Sequence, residues 1–189
     1  MSLANGEGKD RSMNVKDQMQ TVLDELGFDF RNFTMTNFVS WLEAHKGRRV
    51  FFLSGPMPAN MYGAWFSDSE FPHEYFFFDH TVPTIHQVHI QLHELSHYIC
   101  GHKTLQITGA KLKSLIFALK ENHAYPVEFV ELARHRAPDQ ANAQEEAEAE
   151  TLAMLIQERV IKFARMNELS KTVSSHQEAA NFLRDMGVL

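Results

Sequence analysis

From Val15 the apolar residues Val15, Met19, Val22, Leu23 and Leu26 recur three or four positions apart, the period of a helix with one buried face. Gly27 follows where a C-terminal cap is expected. Residues 1–13 have no such period and are polar with glycine, so they read as a disordered tail ahead of a single domain spanning 14–189. A second helix is expected to open at Thr36 and to run through Phe38, Val39, Trp41 and Leu42 to Gly47.

The pattern then shortens to the scale of strands. Residues 48–54, 61–67 and 74–79 are brief aromatic or β-branched runs separated by Pro56, Pro58, Gly63 and Pro72. They predict a small three-stranded antiparallel sheet, because parallel neighbours need a crossover of a dozen or more residues. The run Tyr75–Phe78 predicts a strand packed on both faces. After Pro83 the helical period returns, with Thr84 and Gln87 spaced as a capping box and Gly101 as the stop, which predicts a helix over 84–100. Further helices are expected over 110–121, 127–136, 141–166 and 177–186. Helices, then a sheet, then a helical bundle make an α+β fold.

Composition narrows the function classes. At 189 residues, with 44% hydrophobic and 22% charged residues, the chain suits one globular domain, and no apolar run approaches the length of a membrane span. A net charge of -6 without a Lys/Arg stripe argues against direct binding to nucleic acid. The single cysteine, Cys100, excludes an internal disulfide framework. With no apolar core near the N-terminus to act as a secretory signal, the expected location is cytoplasmic.

The segment His93-Glu94-Leu95-Ser96-His97 carries the chemistry. Two histidines four residues apart share one helical face, so both imidazoles can reach one ion, and zinc accepts neutral imidazole nitrogen. A glutamate directly after the first histidine is placed to act on water beside the ion as a general base. This H-E-x-x-H pattern on a helix after a small sheet predicts a zincin-like metallopeptidase with His93 and His97 as ligands and Glu94 as catalytic base.

A third ligand is needed. His102 lies nine residues after His93, on the opposite face if the helix continues, and Cys100 lies a full turn beyond His97, where a buried small residue is the simpler reading. The remaining candidates are the glutamates of 144–153, ahead of an apolar face formed by Leu152, Leu155, Ile156, Val160 and Phe163. Glu145 and Glu148 lie on or beside that face, whereas Glu146 and Glu150 point away and read as solvated first-turn charges. Periodicity does not separate Glu145 from Glu148.

These residues resemble the ImmA/IrrE-type metallopeptidases, cytosolic bacterial and phage proteins. His93–His102 resembles that family's HELGH-like motif, and Glu148-Ala149-Glu150-Thr151-Leu152-Ala153 resembles its downstream Glu-Ala-x-x-Phe-Ala, with Leu152 in place of Phe. The resemblance implies Glu148 as the third, gluzincin-like ligand of a zinc ion. It also implies a protein substrate, a DNA-binding repressor often of helix-turn-helix type, cleaved to switch genes on. Two features depart from the family: the long segment between the motifs, and the helical run Met154-Leu155-Ile156 where Met-Pro usually follows.

The other histidines have plainer roles. His86 and His89, on the face of His93, could line the cleft or meet a carboxylate behind a ligand, although packing or capping is the simpler reading, and His123 and His135 are candidates to stabilise an oxyanion. The rival function is a regulatory or toxin–antitoxin component that binds a repressor through the same fold without cutting it. A structural zinc site is disfavoured, because such sites are closed by four Cys or His ligands.

Overall fold

Side-chain caps and left-handed glycines bound the first helices of the computed structural model, which describes residues 14–59, 61–120, 129, 140–174 and 177–188. The tail predicted over 1–13 lies outside the described residues. Helix α1 (Val15–Glu25) opens on Asn14, whose side chain accepts from the Asp17 N–H at 2.9 Å. A 3₁₀ turn (Phe30–Asn32) leads to α2 (Met35–Lys46). It opens at Thr34 rather than at Thr36, because the Thr34 hydroxyl accepts from Asn37 N–H at 3.1 Å and caps the helix. Gly47, at φ 66°, closes the helix.

Four strands follow: β1 (Arg49–Gly55), β2 (Gly63–Asp68), β3 (His73–Asp79) and, after the next helix, β4 (Leu105–Ile107). The sheet order is β1-β3-β2-β4. Only β2 and β3 pair antiparallel; β1 runs parallel to β3 and β4 parallel to β2. The sheet is therefore mixed and four-stranded, not the antiparallel three-stranded sheet expected. The crossover rule constrains strands that are neighbours in the sheet, and residues 56–72, which include β2, are long enough for the crossover that parallel β1 and β3 need. The three-residue β4 is too short to stand out from its surroundings.

Both faces of the sheet are covered. Trp65 and Phe76 face a core with Leu23, Phe38, Leu42, Leu92, Leu95, Leu152 and Ile156. Their neighbours Phe66 and Phe77 face a second core with Ile107, Leu112 and Leu115. Alternation of side chains along a strand turns the run Tyr75–Phe78 into anchors for two layers at once, as its composition suggested. Glu74, buried among these aromatics, accepts from Arg48, from Ser67 Oγ at 3.0 Å and from Trp65 Nε1 at 2.6 Å, so the carboxylate is compensated.

Helix α3 (Thr84–Cys100) has the predicted bounds but not the predicted cap. Pro83 occupies the N-cap position, so Thr84 is already helical, and the Gln87 amide donates to the carbonyls of His80 and Val82 at 3.1 and 2.9 Å. Beyond β4 come α4 (Gly109–Lys120), α5 (Gln140–Ser174) and α6 (Gln177–Asp185). The helix expected over 127–136 lies outside the described residues except for Phe129, which is helical and rests on the rings of Phe66 and Phe77. The architecture is α+β. Among the described residues no helix is long and apolar enough to cross a membrane.

Candidate metal centre

Helix α3 puts His93 and His97 one turn apart, with their Nε2 atoms 3.2 Å from each other. Helix α5 lies across α3 and brings in one carboxylate: Glu146 Oε2 is 3.2 Å from His93 Nε2, and its Oε1 is 3.4 Å from His97 Nε2. The three ligand atoms lie within 4.8 Å of one another. The donor set, two imidazoles and a carboxylate, could hold a metal ion. His97 is buried, with 3% of its side chain exposed, while Glu146 keeps 43% exposed, so the group is shielded on the helix side and open on the other.

Glu148 does not join this group. It was the third ligand implied by the resemblance, but its Oε2 lies 3.0 Å from His102 Nε2, and its Oε1 accepts from Gln144 Nε2 at 2.8 Å. Glu145, the other candidate, is also outside the group. The reading of Glu146 and Glu150 as solvated charges fails for a definite reason. Ala149 and Ala153 are fully buried, and Glu146, Glu150, Ala153 and Gln157 recur along the same side of α5 as these alanines. The small side chains allow close approach of α3, and the stripe meets α3 while the larger apolar residues fill the core beside it. An Ala-containing stripe flanking the apolar face was the signal available in the sequence.

Behind His93 stands a carboxylate, and behind His97 a second imidazole. Glu150 Oε2 lies 3.2 Å from His93 Nδ1 and 3.1 Å from His89 Nε2, so His89 meets a carboxylate rather than simply packing. His97 Nδ1 lies 2.9 Å from His102 Nδ1. His102 gets there because α3 does not continue: Gly101 adopts φ 72°, its N–H donates to the Tyr98 carbonyl, and the His102 N–H donates to the His97 carbonyl at 3.0 Å. This paired turn folds the chain back onto His97.

Glu94 is 5% exposed, and its carboxylate lies against the start of β2. A methyl group on Gly63 would sit 2.8 Å from Glu94 Oε1 and 2.7 Å from Ile90 Cγ2, so the glycine makes the space that the glutamate occupies. His86 is exposed, and His123 and His135, the oxyanion candidates, lie outside the described residues.

Charge reinforces the geometry. Burial pulls the His93 imidazolium down, but the Glu146 hydrogen bond and the charges of Glu94, Glu146 and Glu150 outweigh it and leave the pKa raised. Hydrogen bonds from His93 and then His97 hold Glu146 well below the usual carboxylate range. Burial, aided by the Glu148 charge, pushes the Cys100 thiol up to about 11, which agrees with an inert small residue rather than a ligand.

Comparison of the chain with protein-family models, curated proteins and solved structures finds no match. The site therefore stands on its own geometry: two imidazole nitrogens and a carboxylate converge at one point, with a buried glutamate one residue from the first histidine.

Proposed function

We propose that the protein is a zinc-dependent endopeptidase in which His93, His97 and Glu146 hold the ion and Glu94 is the general base. The observation that supports it most is the convergence of the Nε2 atoms of His93 and His97 on the Glu146 carboxylate, with the group open on one side. A zinc ion held there would supply Lewis acidity toward a carbonyl oxygen and acidify a water molecule. Glu94 takes the proton from the attacking water and returns it to the departing amine. Its low exposure keeps bulk water from competing for that proton. Burial of His97, with Glu150 behind His93 and the His102 imidazole behind His97, keeps the rings in place without help from substrate.

The substrate we propose is a cytoplasmic DNA-binding repressor, on the resemblance of His93–His102 and Glu148–Ala153 to the ImmA/IrrE-type motifs. The net charge of -6 fits a protease whose partner, not itself, touches DNA.

The test is Glu94→Gln, an isostere that keeps the ligands. The variant is expected to bind zinc like the parent and to lose cleavage of the repressor by roughly 100-fold or more. Unchanged cleavage would remove Glu94 from the chemistry. If the variant cuts nothing yet still relieves repression, binding alone is the function.

A further inference from the structure

Behind the metal-facing pair runs a chain of hydrogen bonds that the chemistry of cleavage does not use: His97 to His102 to Glu148. We propose that His102 and Glu148 are positioning residues for His97, holding its ring in the tautomer whose Nε2 lone pair faces the ion. The proposal rests on the metal-site reading above.

The direction of the chain follows from which atoms can donate. Glu148 Oε1 already accepts from Gln144 Nε2 at 2.8 Å, and an ionised carboxylate has no hydrogen to offer. The 3.0 Å contact between Glu148 Oε2 and His102 Nε2 therefore requires the hydrogen on His102 Nε2. A neutral imidazole carries one N–H, so His102 Nδ1 is left as an acceptor. The 2.9 Å contact between His102 Nδ1 and His97 Nδ1 then requires the hydrogen on His97 Nδ1. That leaves His97 Nε2 with its lone pair directed at His93 Nε2 and Glu146, the point where an ion would be held. With an ion in place of the hydrogen between His97 Nε2 and Glu146, each link sets the next, beginning at a group that can only accept.

Burial shows that the chain is built rather than incidental. His102 has 6% and Glu148 17% of the side chain exposed, and His97 has 3%, so solvent competes little for these bonds. The turn at Gly101 is what brings His102 over the ring it orients, since its N–H is tied to the His97 carbonyl at 3.0 Å. His93 is backed differently, by Glu150 directly on Nδ1 at 3.2 Å. Thus Glu146 is the carboxylate that would face the ion, while Glu150 stands directly behind His93 and Glu148 behind His102. Residues in such supporting positions typically set metal affinity by 10- to 100-fold.

The experiment compares the parent chain with His102→Ala, His102→Asn and Glu148→Gln. Zinc dissociation constants are measured by competition with a chromophoric chelator, and the visible spectrum of each protein loaded with cobalt(II) is recorded. Asn places its side-chain oxygen where His102 Nδ1 lies, so it can still accept from His97 without reaching Glu148. Zinc affinity is expected to fall roughly 10- to 100-fold in His102→Ala and Glu148→Gln, with a changed cobalt spectrum, and to recover in part in His102→Asn. Glu148→Gln keeps the shape of the side chain, so it answers the question even if His102→Ala folds poorly. Variants that match the parent within about two-fold in affinity, with an unaltered cobalt spectrum, would overturn the relay and leave the site intact. A parent that binds neither zinc nor cobalt would overturn the site and the relay with it.

Discussion

Glu94 owes its position to the absence of a side chain at Gly63, and this is the most exposed weakness of the site at the scale of single residues. Adding one methyl group there meets Glu94 Oε1 at 2.8 Å and Ile90 Cγ2 at 2.7 Å, both on α3. Gly63→Ala is expected to retain zinc, because no proposed ligand is touched, and to lose roughly 100-fold in cleavage rate through displacement of the base by up to an ångström. Rate and zinc content measured on the same preparation check this, and an active Gly63→Ala would show that Glu94 can relocate without cost. Cys100 offers a second check at this scale. With its thiol pushed up to about 11, the residue is expected to react with iodoacetamide at pH 8 at least 10-fold more slowly in the folded protein than after unfolding in urea. Equal rates would mean that the burial which raises it is absent in solution.

At the scale of elements, the ends of helices were legible and the pairing of strands was not. Gly27, Gly47 and Gly101 all adopt positive φ where the apolar period stops, because only a residue without a β-carbon enters that conformation cheaply. Strand order carries no such local mark. The aromatic runs identify β1, β2 and β3, but whether β3 returns beside β1 or beyond β2 depends on which layers the side chains fill, and that is a property of the whole fold. The proposed third ligand, Glu146, was obscured for a related reason. Large apolar residues fix one face of α5, whereas the stripe against α3 is carried by Ala149 and Ala153 between charged residues. The HExxH helix, by contrast, was read with its correct bounds, since its proposed ligands and its stop signal lie within one short segment.

The turn at Gly101 gives the prediction proper to this scale. Alanine at φ 72° costs about 1–2 kcal/mol, and no atom lies close enough to add a steric clash. Thermal unfolding of zinc-free Gly101→Ala should show that loss and no more. Zinc affinity should fall as well, since the same turn carries His102 to His97. A variant with the stability loss but parental affinity would separate the turn from the site.

Across the whole molecule, the sheet is a partition with a core on each face, and the site lies on the side of α1, α3 and α5. Its proposed ligands come from two helices far apart in sequence, His93 and His97 from α3 and Glu146 from α5. An ion there would tie those helices together, so zinc binding should raise the unfolding temperature: at a free concentration 100 times the dissociation constant the gain is about 2.7 kcal/mol. The measurement that tests the central claim most directly is zinc content by elemental mass spectrometry, on protein purified without chelator, for the parent and for His97→Ala, Glu146→Gln and Glu94→Gln. One zinc per chain in the parent and in Glu94→Gln, lost in His97→Ala and Glu146→Gln, is the expected result. A parent chain that takes up no metal when zinc is offered, or a Glu146→Gln variant that holds it as tightly as the parent, would contradict the site described here.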